Sequence, residues 1–242
     1  MAPALEQQFQ QLAARLDTRA LHQLFIAQNE FLAIEDFLPT PCLSRLTAAL
    51  PGLAPHVHRN YIPRHKKGGS ISKFGLDVHA AEFGDLYRAP ALMEILTAIT
   101  GQRLLFCPAD DPHTYALYYY TEPGDHIGYH YDTSYYRGAR YTVLIGIVDD
   151  SSCRLEYQLY QNDPNRPPET NRLQLTPGAL AIFNGDKLFH RITPLANGER
   201  RISLTFEYVT SAAIHPVRRF VSNMKDAIAY FGFKQVFKSR TP

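Results

Sequence analysis

Residues 118–134 read YYYTEPGDHIGYHYDTS. Aromatic residues run up to Thr121, Pro123-Gly124 turns the chain, and a second extended segment follows. Residues two apart on such a segment share a face, so His130 and Asp132 point the same way. An imidazole and a carboxylate placed like this can hold one cation between them. In a chain with ten histidines, a lone His-x-Asp is a weak signal. Its company has to carry the argument.

Downstream, residues 141–148, 154–160, 179–183 and 201–209 also read as strands, as do 103–107 and 114–121 upstream. Each is rich in aromatic or β-branched residues and bounded by Gly, Pro, Asp or Asn. Residues 162–171 hold three prolines and read as a loop. The first hundred residues have a different period. Leu5, Phe9, Leu12 and Leu16 repeat at helical spacing. Thr40-Pro41 looks like an N-cap with proline at the first helical position, opening a helix to Leu50. Ala89-Pro90 opens another through Ile99, with Gly101 as its stop. Between these helices, residues 64–72 (RHKKGGSIS) read as a basic, glycine-bearing loop. Val217, Phe220, Val221, Met224 and Ile228 form one apolar stripe before Gly232, the pattern of a C-terminal helix.

Helices first and then short strands predict a mainly β domain with flanking helices, an α+β jelly roll or sandwich. The 242 residues fit one domain. Residues 1–102 are expected to be mostly helical support with a substrate loop, 103–210 the β core, and 211–242 a C-terminal helix.

Composition narrows the functional classes. Net charge is +2, which calls for no nucleic-acid or other polyanionic partner. No apolar run approaches the roughly 20 residues that span a bilayer, so no membrane partner is expected. The start, MAPALEQQFQQLAARL, lacks a signal peptide's basic and apolar regions. Cys42, Cys107 and Cys153 are scattered without CxxC spacing, against a disulfide framework or a zinc site. Cytoplasm is the expected compartment, and a homodimer stays open.

A third ligand for His130 and Asp132 comes from elsewhere, and His190 in DKLFHRITP is the best candidate. Two histidines and one carboxylate leave three octahedral positions open, as in non-haem Fe(II) oxygenases. Eleven residues after His190 comes Arg201-Ile202-Ser203. Alternation puts Arg201 and Ser203 on one face, opposite Ile202 and Leu204. A guanidinium fork suits the far end of a dicarboxylate, and a nearby serine adds a third bond. Arg200 faces away as a solvated charge.

These signals resemble the iron(II)- and 2-oxoglutarate-dependent oxygenase superfamily in kind and in order. The likeness covers about 90 residues, from Tyr118 to Tyr208. It includes Gly124 six residues before the first ligand, the Pro-Gly turn of residues 177–180, Pro194, Gly198 and Arg201-x-Ser203. The prolyl-hydroxylase-like branch is similar in these spacings. The resemblance implies a double-stranded β-helix, with Fe(II), 2-oxoglutarate and O2 as cofactor and cosubstrates. It implies His130, Asp132 and His190 as metal ligands and Arg201 as partner of the 5-carboxylate. It also implies oxidative decarboxylation to succinate and CO2 coupled to oxidation of a substrate C–H bond. Tyr118 and Tyr120 share a strand face, and either phenol can bond the cosubstrate or simply pack the wall.

In halogenating relatives the Asp132 position is Gly or Ala, so a carboxylate there implies hydroxylation rather than halogenation, with desaturation or cyclisation left open because they share the first step. RHKKGGSIS and HYDTSYYRGARYTVLIG are similar to a small group that acts on free amino acids such as lysine. On that resemblance the partner is a small molecule, a free cationic amino acid first. Arg64, with Lys66 or Lys67 as substitutes, would take its carboxylate. Thr205 and Glu207 continue the Arg201 face, where an acid can meet an ammonium, and His126 lies one short loop from His130. The alternatives are a side-chain hydroxylase of peptides or proteins, a nucleic-acid dealkylase, and a non-enzymatic jelly-roll binding protein. RISLTFEYV is a poor dealkylase motif, because Glu207 would repel phosphate.

Overall fold

The computed structural model describes residues 2–214, so the helix expected from Val217 onward lies outside the described residues. Six helices come mainly from the first hundred residues: α1 (Ala2–Ala13), α2 (Thr18–Ala27), α3 (Thr40–Leu53), α4 (Lys73–His79), α5 (Ala81–Tyr87) and α6 (Pro90–Thr100). Local chemistry sets their ends. Asp17 accepts a hydrogen bond from the Ala20 N–H at 3.0 Å and so caps α2. Pro90 opens α6, and Gly101 closes it in the left-handed conformation at φ 65°. Thr40 is the first helical residue of α3 and makes no capping bond, and that helix continues past Leu50 through Pro51 to Leu53.

Twelve strands follow or interrupt the helices: β1 (Phe31–Ile34), β2 (His58–Ile62), β3 (Lys66–Ser72), β4 (Leu105–Phe106), β5 (Tyr115–Tyr120) and β6 (His126–His130). The others are β7 (Arg140–Asp150), β8 (Leu155–Leu159), β9 (Glu169–Leu173), β10 (Leu180–Asn184), β11 (Phe189–Ile192) and β12 (Arg200–Val209). They pair antiparallel in the order β1-β10-β7-β12-β5-β3-β6-β11-β8-β9, with β2 on β3 and β4 on β12. The ribbon curls. Phe31 of β1 stacks on Tyr157 of β8 at 4.1 Å between ring centroids, although the two strands lie far apart in the pairing order. One half, β10-β7-β12-β5, faces the other, β6-β11-β8-β9, as in a jelly roll.

Two cores result. On the outer face, Ile202, Leu204, Phe206 and Tyr208 of β12 join Phe25, Leu46, Leu92 and Ile95 of the helices. Each such side chain contributes roughly 2 kcal/mol, which offsets the charges placed on the other face. Inside the roll, Tyr120, Leu144 and Phe183 of one half meet Ile127, Leu155 and Ile192 of the other. The charged and polar residues of β12, Arg201, Ser203 and Glu207, are buried on this inner side.

The structure corrects three expectations. Residues 66–72, expected to be a loop, form β3, which joins the two halves by pairing with both β5 and β6. Their glycines allow close approach rather than a turn: a Cβ on Gly69 would stand 2.4 Å from Val57 Cγ1. The proline-bearing loop gives way to β9 at Glu169. Asp132 is not on a strand, because β6 stops at His130.

Asp125 fastens the turn that leads into β6. Its buried carboxylate accepts from both Arg59 terminal nitrogens, at 2.6 and 2.9 Å, and from the Thr121 and Glu122 N–H groups. Burial works against the charge, but Arg59 and the two backbone donors outweigh it and hold the carboxyl below the usual carboxylate range. Asp125→Ala should cost about 3 kcal/mol and lower the Tm by roughly 10 °C at neutral pH. The folded pKa is depressed, so this stabilisation is present above the unfolded value of about 3.9 and lost as pH falls through the folded one. Denaturant melts of both proteins should therefore converge in acid.

Candidate active site

Strand register brings the two histidines together. His190 of β11 pairs directly with His130 of β6, and their ring centroids lie 4.3 Å apart. Each Nδ1 meets a carbonyl two residues back, Gly128 O at 2.8 Å and Leu188 O at 3.1 Å. Those acceptors favour the Nδ1–H tautomer and leave each Nε2 lone pair pointing inward. Asp132 completes the group, its Oδ1 3.4 Å from His130 Nε2 and its Oδ2 3.8 Å from His190 Nε2. The three ligand atoms all lie within 4.8 Å of one another.

The electrostatics follow from burial and proximity. Burial works against ionisation of Asp132, but His190, His130 and Arg140 hold its carboxyl far below the usual range. For His130, burial favours the neutral form and Asp132 outweighs it, so the net shift is upward. His190, buried and beside a second imidazole, is pushed down to about 4. Two imidazoles whose Nε2 atoms face one carboxylate are a donor set that fits iron(II).

Arg201 lies on the inner face of β12, 2% exposed. Its side chain sits over the Tyr120 ring at 5.2 Å, and Nη1 donates to Ser203 Oγ at 3.4 Å. Tyr120 and Tyr118 are the β5 partners of Arg201 and Ser203 in register, so all four share one face. Burial pushes the Tyr120 phenol up to about 12, so it stays protonated as a donor. Among the described residues no carboxylate pairs with Arg201. A buried guanidinium that meets hydroxyl groups and no carboxylate within ion-pair distance fits an incoming carboxylate. Arg200, as expected, is exposed and pairs with Asp150 at 3.1 Å.

The candidate substrate contacts separate. Arg64 is exposed in the turn between β2 and β3, at φ 63°. His126 is half-buried at the start of β6, its Nδ1 2.8 Å from Gly124 O. Thr205 is half-buried on β12. Lys66 is 1% exposed and lies 5.1 Å from the Tyr118 ring centroid, while Lys67 donates to Pro123 O at 2.8 Å. Glu207 is buried and already engaged, accepting from Arg140 Nε at 2.8 Å and lying 3.0 Å from Thr142 Oγ1. Burial, only partly opposed by Arg140, pushes its carboxyl up to about 7.

Two supports of Asp132 escape any reading of motifs. Thr142 Oγ1 donates to Asp132 Oδ2 at 2.9 Å. Gly185 lies so close that a Cβ there would stand 2.4 Å from the Asp132 carbonyl oxygen. A threonine in a strand and a glycine after one carry no signal of such a role in sequence.

Known structures share this architecture. The epimerase SnoN from nogalamycin biosynthesis, described as non-heme and alpha-ketoglutarate dependent, superposes at TM-score 0.65. It is 14% identical, over 80% of this chain and 82% of its own. A Trichoplax adhaerens prolyl hydroxylase, in complex with a hypoxia inducible factor peptide fragment, gives TM-score 0.63 at 14% identity, over 87% and 96%. A Pseudomonas putida prolyl-4-hydroxylase gives 0.58 at 18% identity, over 79% and 97%. The chain has their double-stranded β-helix fold. No protein-family model matches the sequence, and no curated protein does. No described helix is long and apolar enough to cross a membrane.

Proposed function

We propose that this chain is an iron(II)- and 2-oxoglutarate-dependent oxygenase that hydroxylates an unactivated C–H bond of a small molecule, a free cationic amino acid such as lysine first. The observation that carries the reading is one interior holding both parts of the site. Three metal-ligand atoms converge there, and a buried guanidinium without a carboxylate partner among the described residues shares the same roll.

His130 and His190 would hold the ion through Nε2 and Asp132 through its carboxylate. Iron(II) with 2-oxoglutarate and O2 supplies the oxidation of the C–H bond, releasing succinate and CO2. Arg201 and Ser203 orient the distal carboxylate of the cosubstrate, and the Tyr120 and Tyr118 rings wall that end. Ile127, Leu144 and Phe183 keep the interior dry, which strengthens each of those polar contacts. Asp132 occupies the position that chloride needs in halogenating enzymes, so hydroxylation is the expected outcome over halogenation, with desaturation or cyclisation as alternatives that share its first step.

Arg64 and His126 remain the residues on which an amino-acid substrate would rest. Glu207, held by Arg140, supports the site from behind rather than meeting an ammonium group. A second reading is a peptide hydroxylase, favoured by the fold shared with the Trichoplax prolyl hydroxylase, whose structure contains a peptide. Purified protein with Fe(II), 2-oxoglutarate and a panel of free amino acids should form succinate together with a product heavier by one oxygen atom. Turnover only with proline-containing peptides would select the second reading. No succinate with either panel, together with no Fe(II) binding, would overturn both.

A further inference from the structure

The carboxylate of Asp132 is not placed by strand geometry, since β6 ends two residues earlier. What holds it comes from the opposite half of the roll. Thr142, fully buried on β7, approaches Asp132 Oδ2 at 2.9 Å. Behind it stands Glu207, its register partner on β12, with oxygens 3.0 and 3.2 Å from the same hydroxyl. Arg140, two residues along β7, donates from Nε to Glu207 Oε2 at 2.8 Å. Arg140 in turn lies over the Tyr135 ring at 5.9 Å. Each of these four supporting residues is buried, and both strands are central in the sheet. A hydroxyl locked between two such strands is a rigid support for a side chain on an irregular segment.

We propose that Thr142 is the positioning residue of the metal centre, its hydroxyl engaging Asp132 Oδ2 so that Oδ1 alone is presented to the ion. The inference rests on the iron reading above. A carboxylate free to turn both oxygens inward would occupy two coordination positions. One of the three positions needed by a bidentate cosubstrate and O2 would then be lost. Thr142 prevents this by donating its hydroxyl proton to the second oxygen.

The test uses the full chain and Mn(II) as probe, with free Mn(II) followed by electron paramagnetic resonance. Thr142→Val keeps shape and volume but removes the hydroxyl, and it should weaken Mn(II) affinity about 10–100-fold. Thr142→Ser should restore affinity to near the wild-type value. The absorption spectrum of the Co(II)-loaded protein should differ between T142V and wild type and match between T142S and wild type. A general loss of packing would not be rescued by the smaller serine. If T142V does not fold, Thr142→Ala carries the same expectation. Wild-type affinity and an unchanged Co(II) spectrum in a folded hydroxyl-free variant would overturn the inference and leave the iron reading standing. Absence of Mn(II) binding by the wild type would overturn both.

Discussion

Asp132→Ala should reduce 2-oxoglutarate turnover by about three orders of magnitude or more while leaving the protein folded. A ligand carboxylate contributes several kcal/mol through the metal it secures, and each 1.36 kcal/mol is about a factor of ten in rate. Folding should tolerate the change, because Asp132 lies on a short irregular segment outside the sheet ladder. Because His190, His130 and Arg140 hold the carboxylate ionised, its loss costs some stability without unfolding the chain. The histidines register the loss directly. Asp132 is what lifts His130 against the effect of burial, so in the metal-free variant His130 should titrate lower than in the wild type. Succinate release measures the first effect, and NMR titration of the imidazoles measures the second. Wild-type turnover in D132A would remove the carboxylate from the ligand set. In the wild type, added chloride should give no chlorinated product.

Much of this site is legible in one-dimensional pattern, for physical reasons. Period-two alternation marks the inner and outer faces of β12, so the residue order alone separates Arg201 and Ser203 from Ile202 and Leu204. The Pro-Gly turns and the proline and glycine at the ends of α6 are local chemistry, and local chemistry is written locally. What pairs with what is not local. His130 faces His190 because β6 and β11 are neighbours in register, a fact set by the whole span of chain between them. The β3 strand is hidden for a related reason. Glycine and lysine suppress the strand signal, and yet Gly69 is needed for close packing and Lys66 is buried. The alternation that exposes Arg201 also overreaches at Glu207. It places that side chain on the inner face, but it cannot show that Arg140 and Thr142, 67 and 65 residues away, already engage it. Asp132 gives the opposite error. It reads as a strand residue, and its placement comes instead from Thr142 and Gly185 across the roll.

Arg201 carries the second large expectation. Two parallel charge-assisted bonds to a carboxylate, each about 1.5–3 kcal/mol, amount to roughly 3–5 kcal/mol in a dry site. Arg201→Met should therefore raise the KM for 2-oxoglutarate by a factor of about 10² to 10⁴, with Mn(II) affinity unchanged. Arg201→Lys should fall between, since a single ammonium cannot reproduce the fork. The metal-free protein should move in the other direction. Without cosubstrate, Arg201 is a buried cation with a weak 3.4 Å bond to Ser203 Oγ and no carboxylate within ion-pair distance among the described residues. Removing such a charge in favour of an apolar chain is neutral or stabilising. R201M should then melt at or above the wild-type temperature when both are free of ligand. Adding 2-oxoglutarate and Mn(II) should reverse the order. At about a hundred times its dissociation constant a ligand stabilises by about 2.7 kcal/mol, and only the wild type reaches that saturation at a given concentration. A crossing of the two melting temperatures on adding 2-oxoglutarate separates a cosubstrate-binding arginine from one that merely supports the fold. An arginine of the second kind would lower the Tm in both conditions when replaced and leave the KM where it was.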